Sequence, residues 1–320
     1  MTLPDWLSVI ERPFPSSVLA VIRGPRPIVV DPGSLTDADQ LPGLFEDGGV
    51  DQAEVGLVLC THYHSDHVGA VATLQQTGVE VAAHAWDAGM VNARDPGACA
   101  SRWLAQPVLP YRVNRALREG DVVSTNAVDL HVIHTPGHTL GGISLWEPES
   151  RTLLCGDALH ARDTPWIGTP HEGAGSIPRA LLTLDRIEEL DPVCIASGHG
   201  PVIDDVVTAI ARTQERLAGW QTDPAAGALY AAKRILTYRL MLEPIPTERI
   251  DDLVYRAPWL RDLAARLDEP ARTFAQRLLD SLASSLFTKD GALRTTAPHR
   301  PSPIPVPWEL TQTHRWPSLD

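Results

Sequence analysis

Apolar and polar positions follow two different periods along this chain. In Val128–Ile133 they alternate, as in a strand with one buried face, whereas the apolar positions of Ile177–Leu190 recur at helical spacing. Short apolar runs such as Ala53–Cys60 predict strands that are buried on both faces. Further predicted elements are a helix at Val68–Gln76 and strands at Ser17–Arg23, Pro27–Asp31, Val79–His84, Ile143–Trp146, Thr152–Cys155 and Val193–Ala196. Strands that alternate with helices predict an α/β fold.

The pattern changes near Thr208, beyond which strand-like runs disappear. Helical periodicity predicts helices at Ala231–Leu242, about Thr247–Tyr255 and Pro270–Leu286. Proline recurs from Pro298 onward, which excludes a regular helix or a central strand there. These changes predict three parts: an α/β domain over 1–210, a smaller, mostly helical domain over 211–297 and a Pro-rich tail over 298–320.

Composition and charge narrow the class of protein. The chain has 320 residues, 43% hydrophobic and 21% charged, which is enough apolar material for a sizeable core. The formal net charge of −13 is opposite to the balance of most nucleic-acid binders. No apolar run reaches the ~20 residues of a membrane-spanning helix, and the N-terminus lacks a signal-peptide pattern. The four cysteines form no C-x-x-C pair, so we expect reduced thiols in a cytoplasmic protein without a membrane partner.

Four side chains that commonly bind metals follow the buried strand Ala53–Cys60. The segment Thr61–Ala70 reads THYHSDHVGA and places His62, His64, Asp66 and His67 within six residues. A polar loop that only leads into a helix has no need of three imidazoles and a carboxylate. Imidazole together with carboxylate suits zinc, and in some settings iron or manganese.

Three further segments repeat the same arrangement of a strand, small or turn residues and then a ligand-type side chain. His138 stands on the turn of Thr135–Thr139, Asp157 follows Gly156, and His199 lies between Gly198 and Gly200. Since strand ends converge on one edge of a sheet, these side chains are expected to join the first group.

The ordered set H-x-H-x-D-H, T-P-G-H-T, G-D and G-H-G resembles the metallo-β-lactamase superfamily, and within it the glyoxalase II-like hydrolases. The resemblance runs over about 15–205 and implies an αββα sandwich. By position, it implies one metal held by His62, His64 and His138, a second held by Asp66, His67 and His199, and Asp157 as the carboxylate that bridges them. Asp31, before Pro32-Gly33, matches an aspartate that supports the site without binding metal.

The chemistry implied is that of a dinuclear metal-dependent hydrolase, with zinc favoured and iron or manganese as alternatives. Two divalent ions lower the pKa of a shared water from about 16 to near neutral, which supplies a bridging hydroxide. Asp66 is expected both to bind metal and to orient this nucleophile or relay its proton. The expected substrate is an ester, thioester or lactone of a small or carrier-bound molecule.

Two other reactions and one binding function stay open at this stage. An RNA or phosphodiester hydrolase uses the same core, and a mononuclear-iron persulfide dioxygenase needs only ligands matching His62, His138 and Asp157. The complete second ligand set speaks against the dioxygenase, and the intact set as a whole speaks against a non-catalytic binding protein. Elemental analysis distinguishes a protein with one iron ion per chain from a protein with two other metal ions per chain.

The loop after Asp157 is expected to border the substrate. His160, Trp166 and His171 are the candidates in Ala158–Ser176 to contact it. Quorum-signal lactonases of the family usually carry a tyrosine near the metals, where this loop has histidine, and the basic residues that bind glutathione in glyoxalase II are not recognisable. Both departures leave the substrate open.

The helical region resembles the winged-helix appendage found in one subgroup of these hydrolases. Residues 211–300 contain 14 basic and 11 acidic side chains, which is too weak a surplus for a nucleic-acid track. We therefore expect this region to narrow the mouth of the active site, with a homodimer as a further option.

Overall fold

The computed structural model describes residues 3–301, so most of the predicted Pro-rich tail, 302–320, lies outside the described residues. Within them the helices are α1 Leu41–Asp47, α2 Ser65–Val68, α3 Val71–Gln75, α4 Ala85–Asn92, α5 Ser101–Leu104, α6 Thr169–Glu172, α7 Ser176–Glu189, α8 Val206–Thr222, α9 Pro224–Leu242, α10 Pro258–Arg266 and α11 Ala271–Ser281. The strands are β1 Leu7–Ile10, β2 Leu19–Ile22, β3 Ile28–Val30, β4 Leu57–Leu59, β5 Glu80–His84, β6 Arg115–Leu117, β7 Val122–Ser124, β8 Asp129–His134, β9 Ile143–Glu147, β10 Thr152–Gly156, β11 Cys194–Ser197, β12 Ile245–Pro246, β13 Leu286–Lys289 and β14 Ala292–Thr295.

Two sheets form the larger part of the molecule. The first has six strands in the order β1-β2-β3-β4-β5-β6, and the second has five in the order β11-β10-β9-β8-β7. From β3 to β6 neighbouring strands are parallel, with Val29 opposite Val58 and Val58 opposite Val81. In the second sheet only β10 and β11 run parallel. The carboxyl ends of β3, β4, β10 and β11 therefore reach one edge of the sandwich.

Side-chain alternation divides the apolar residues into layers. On β2, Leu19 and Val21 face a core shared with α1 to α4, whereas Ala20 and Ile22 face the core between the two sheets. The other face of the second sheet packs on α7 and α8. Each fully buried aliphatic side chain contributes about 1.5–3 kcal/mol to this packing. The four layers are helices, sheet, sheet and helices, which confirms the predicted αββα sandwich.

The C-terminal helices have a core of their own that also reaches into the sandwich. Helices α9, α10 and α11 and the small sheet β12-β14-β13 enclose it. Trp103 and Leu104 of the sandwich belong to the same core, and Trp103 Nε1 donates to Asp262 Oδ2 at 2.9 Å. Helix α8 crosses the predicted boundary between 210 and 211 and packs with α7. No helix among residues 3–301 has the length and apolarity needed to cross a bilayer.

Four predicted helices were wrong in their bounds, and the one expected over Ala231–Leu242 begins earlier, at Pro224. The helix expected over Val68–Gln76 is divided into α2 and α3, because the Ala70 N–H donates to the Gly33 carbonyl at 3.0 Å instead of continuing the helix. The helix expected over Pro270–Leu286 ends at Ser281, before the chain enters β13. About Thr247–Tyr255, the chain forms one tight and one wide helical turn rather than an α-helix.

Candidate metal centre

Asp31 shapes the loop that follows β4. It adopts a left-handed backbone conformation (φ 52°), which aspartate tolerates better than most residues. Its carboxylate accepts the Thr61 N–H at 2.8 Å and the Thr61 hydroxyl at 2.6 Å. The other partner is His67, whose Nδ1 lies 2.8 Å from Asp31 Oδ2. Asp31 thereby directs the second nitrogen of His67, Nε2, into the cluster of histidines.

One group of three histidines converges on a common point. The ligand nitrogens of His62, His64 and His138 all lie within 4.8 Å of one another, and the three side chains are buried. His64 Nδ1 is 2.9 Å from His138 Nε2, while the outer nitrogen of His138, Nδ1, donates to the Trp166 carbonyl at 2.7 Å. His62 Nδ1 lies 3.2 Å from the Thr61 hydroxyl, so its Nε2 points inward. Outer partners of this kind fix the orientation of metal-binding imidazoles.

A second group consists of Asp66, His67 and His199. Their ligand atoms also lie within 4.8 Å of one another, and His199 Nε2 is 3.3 Å from Asp66 Oδ2. Asp66 is in the first turn of α2, and His199 follows β11, so two separate strand ends supply this group.

Asp157 lies between the two groups. Its Oδ1 is 3.3 Å from His67 Nε2, and its Oδ2 is 3.6 Å from both His138 Nε2 and His199 Nε2. One buried carboxylate thus faces members of both groups. Gly198 makes this approach possible, because a Cβ there would lie 2.1 Å from Asp157 Oδ1.

Burial and neighbouring charges set the protonation of these side chains. Burial is the main cause that lowers the pKa of His62, His64 and His138, and it keeps them in the neutral form that binds metals. Burial opposes the charged forms of Asp66 and Asp157 as well, but facing histidines outweigh it. They lower the pKa of Asp66 to about 2 and that of Asp157 well below its usual range.

The donor set fits divalent metal ions. Among residues 3–301, His62 Nε2, His67 Nε2 and Asp157 Oδ1 are buried and make no hydrogen bond, although the last two atoms lie 3.3 Å apart. Buried polar atoms without partners are costly, and metal ions bound by the two ligand groups would satisfy these atoms. Neutral imidazoles with ionised carboxylates are the ligands of zinc and related ions.

The three expected substrate contacts have different positions. His160 is buried within the cluster, with its Nε2 3.2 Å from Asp157 Oδ1. Trp166 stacks on His64, with ring centroids 5.3 Å apart, and lines a narrow cleft over the cluster. His171 is placed behind Tyr63, whose hydroxyl lies 3.1 Å from His171 Nε2, and it does not line the cleft.

Apart from Trp166, the cleft has walls that the sequence did not indicate. His64 and Asp66 form its floor, and its other lining residues are Phe14, Leu104, Gln106, Trp166, Arg234, Ile235 and Tyr238. Three of these come from α9, which lies well beyond the last of the strand-end motifs, at His199. The C-terminal helices therefore narrow the mouth of the site.

Glu172 connects two of the ligand-bearing loops and was also missed from the sequence. Its Oε1 accepts the Tyr63 hydroxyl at 3.0 Å, and its Oε2 accepts the Leu140 N–H at 2.8 Å. Tyr63 stacks on His64, with ring centroids 5.6 Å apart, and Leu140 follows His138 by two residues. Burial raises the pKa of Glu172 to about 7, although hydrogen bonds from Leu140 and Tyr63 oppose the rise.

We expect the raised pKa of Glu172 to make the free energy of unfolding depend on pH. The variant Glu172→Gln should lack this contribution. Below its ordinary pKa of 4.5, Glu172 is protonated in both folded and unfolded chains. Between pH 4.5 and about 7, the unfolded chain ionises this carboxyl while the folded chain keeps it protonated, so the free energy of unfolding falls, and it levels off above about 7. Between pH 4.5 and about 7, the free energy of unfolding of Glu172→Gln should rise relative to that of the wild type by up to about 3 kcal/mol.

Urea unfolding of both proteins across this pH range measures the difference directly. Parallel stability profiles for wild type and Glu172→Gln would contradict the raised pKa.

The chain is similar to known proteins in both sequence and fold. A family model described as the metallo-beta-lactamase superfamily matches residues 12–199. The chain is 38% identical over 103 residues to a hydroxyacylglutathione hydrolase of Rhodospirillum rubrum, which is 32% of this chain and 33% of that protein. It is 31% identical over 159 residues to the acyl-coenzyme A thioesterase MBLAC2 of Gallus gallus, covering 44% of this chain and 56% of the relative.

The extent of these matches differs between sequence and structure. The chain matches from about a third to just under two thirds of the length of its curated relatives. A metallo-beta-lactamase family protein of Thermus thermophilus superposes with a TM-score of 0.60 and 21% identity, covering 92% of this chain and 100% of that one. At this identity the superposition shows a common fold.

Proposed function

Since this chain belongs to the metallo-beta-lactamase superfamily, we propose that it is a dinuclear metal-dependent hydrolase that cleaves thioesters or related esters of small or carrier-bound substrates. The observation that carries the proposal is the position of Asp157, whose carboxylate faces histidines of both ligand groups within 3.6 Å. A mononuclear oxygenase has no use for the second group, Asp66, His67 and His199.

The metal ligands form two sets in this proposal. His62, His64 and His138 would hold one divalent ion and Asp66, His67 and His199 the other, with Asp157 placed between the two groups. Zinc is the metal that this donor set favours. When bound, two such ions lower the pKa of a shared water and polarise the carbonyl under attack.

The protein's own side chains orient the reactants. Asp66 is ionised, with a pKa of about 2, so a free oxygen of its carboxylate can accept a hydrogen bond from the attacking water and fix its direction. Trp166 covers His64, and Phe14 lies with its ring centroid 6.2 Å from that of His199. These aromatic rings narrow the approach to the two ligand groups.

Two comparisons support a thioester as the substrate class. The relatives named hydroxyacylglutathione hydrolase and acyl-coenzyme A thioesterase match 103 and 159 residues of this chain. The net charge of −13 and the absence of a basic track among the described cleft residues give no support to RNA as substrate.

A substrate panel tests the proposal. Metal-replete protein is assayed with a thioester, a lactone, a β-lactam, a phosphodiester and glutathione persulfide, and metal content is measured in the same preparation. We expect thioester hydrolysis that a chelator abolishes and added zinc restores. Oxygen uptake with persulfide by a protein containing one iron, or cleavage of the phosphodiester alone, would overturn the proposal.

His199→Ala should empty mainly the second ligand group. Its Nε2 faces Asp66 and Asp157, but His62, His64 and His138 do not depend on it for their positions. We expect metal content to fall from about two ions to about one per chain, with activity reduced at least ~100-fold. His131→Ala, a histidine on β8 outside the ligand groups, is the control. Full dinuclear occupancy in His199→Ala would show that the ligand assignment is wrong.

A further inference from the structure

One face of α9 lies over the cleft and carries three polar side chains at four-residue spacing. Tyr230, Arg234 and Tyr238 share this face because residues four apart are stacked along a helix. The Tyr230 hydroxyl donates to the Thr164 carbonyl at 2.9 Å, and the Tyr238 hydroxyl lies 3.4 Å from the Ser34 hydroxyl. The two tyrosines anchor the helix to the sandwich on both sides of Arg234.

Arg234 is held in the mouth of the cleft without using its hydrogen-bond donors. Its guanidinium carbon lies 4.9 Å from the Phe14 ring centroid, a cation–π contact. The nearest carboxylate is Asp163, whose Oδ2 is 3.6 Å from Arg234 Nη1. Asp163 Oδ1 already accepts from Arg216 Nη1 at 2.9 Å. Within residues 3–301, the Arg234 guanidinium makes no hydrogen bond of ordinary length.

Basic side chains outnumber acidic ones around Arg234, whereas the sandwich as a whole is acidic. Residues 1–210 contain 12 basic and 27 acidic side chains. Around Asp163, in contrast, three arginines gather: Arg216 and Arg234 face its carboxylate, and Arg212 donates to its backbone carbonyl at 3.4 Å. The remaining walls of the cleft are mainly apolar or aromatic, so Arg234 is its cationic group among the described lining residues.

We propose that Arg234 binds an anionic group of the substrate, a carboxylate or a phosphate, while the scissile carbonyl lies at the metal centre. The planar guanidinium matches two oxygens of either anion, and Phe14 fixes its orientation. Phe14 and Trp166 contact the apolar segment that joins the anion to the reacting bond. This inference rests on the proposed thioester hydrolysis and names the class of thioester.

The test compares matched charged and neutral substrates. One pair is S-acetyl-3-mercaptopropionate and its methyl ester, and the other is S-acetyl-4′-phosphopantetheine and S-acetylpantetheine. The protein variants are Arg234→Gln, Arg234→Lys and the control Lys233→Gln. The control removes an equal charge from the same helix at a residue that does not line the cleft. Circular dichroism and thermal unfolding establish that each variant is folded.

We expect the wild type to show a KM about tenfold lower for the charged member of at least one pair, with kcat little changed. Arg234→Gln should lose this preference, Arg234→Lys should restore part of it, and Lys233→Gln should keep it. The carboxylate and phosphate pairs identify which anion is bound. Equal KM values for both members of both pairs in the wild type, or an unchanged preference in Arg234→Gln, would overturn the proposal.

Binding measurements separate this inference from the proposed reaction. Isothermal titration with the S-ethyl thioether forms of the same pairs requires no turnover. If the wild type hydrolyses no thioester but binds the charged thioether more tightly in an Arg234-dependent way, the reaction is wrong and the anion site stands. If thioesters are hydrolysed with no Arg234-dependent preference in rate or binding, the anion site is wrong and the reaction stands.

Discussion

Asp157→Asn should deprive the protein of most of its bound metal and of its activity. The change keeps the shape of the side chain but removes the negative charge that faces His67, His138 and His199 within 3.6 Å. Replacing an outer partner of a metal ligand lowers metal affinity about 10–100-fold, so loss of a carboxylate facing both ligand groups should exceed ~100-fold. We expect kcat/KM to fall roughly 10³-fold or more.

Metal content by elemental analysis and thioester hydrolysis on the same sample measure both effects. Asp185→Asn is the matched control, because Asp185 is an exposed aspartate on α7 that accepts from Gln214, away from the ligand groups. Wild-type metal content in Asp157→Asn would show that this carboxylate does not join the two ligand groups.

Gly198→Ala should disrupt the same centre by steric displacement. An added Cβ would lie 2.1 Å from Asp157 Oδ1 and 2.7 Å from His67 Cε1. Neither side chain can yield freely, because Asp157 is short and buried and His67 is held by Asp31 at 2.8 Å. We therefore expect the variant to lose at least one ion per chain, with an activity loss of about 100-fold or more.

The control is Gly219→Ala on α8, where an added Cβ meets nothing within 4 Å. Alanine in a helix interior is favoured over glycine by about 1 kcal/mol, so this control should be at least as stable as the wild type. A Gly198→Ala protein that keeps two ions and normal turnover would mean that Asp157 is placed differently.

The candidate ligands could be identified from the sequence because local segments supply them. His62, His64, Asp66 and His67 lie within one segment, and the other three follow predicted strands directly. Strands β10 and β11 are neighbours in one sheet, and β4 lies in the other sheet of the sandwich. Their carboxyl ends therefore converge once the two sheets pack together. The α/β class was predictable from strands that alternate with helices, whereas the four layers were expected only from the family resemblance.

The sequence predicted Trp166 and a C-terminal region that narrows the mouth, but the other wall residues could not be predicted because they depend on contacts between distant segments. Ser34 and Tyr238 are 204 residues apart, and Phe14 meets Arg234 only after α9 has packed on the sandwich. The apolar positions of α9 face both its own core and the cleft, so its periodicity does not show which side chains line the site. Glu172 was missed because its partners, Tyr63 and Leu140, come from two loops whose approach is a tertiary effect.

The sequence identified His160 as a residue of the site but did not indicate how deeply it is buried. The sequence placed it on a loop bordering the substrate, whereas the structure buries it 3.2 Å from Asp157. Loop length alone does not determine the depth at which the side chain lies, because Arg212 of α8 fixes that loop by donating to the His160 carbonyl at 2.7 Å.

The number of metal ions bound per chain tests the central claim most directly. Purified protein is incubated with excess zinc, freed of unbound metal by gel filtration and analysed by inductively coupled plasma mass spectrometry against protein concentration. Two ligand groups joined by Asp157 predict about two zinc ions per chain. A value of one or less after incubation with excess zinc would contradict the dinuclear centre on which the proposed function depends.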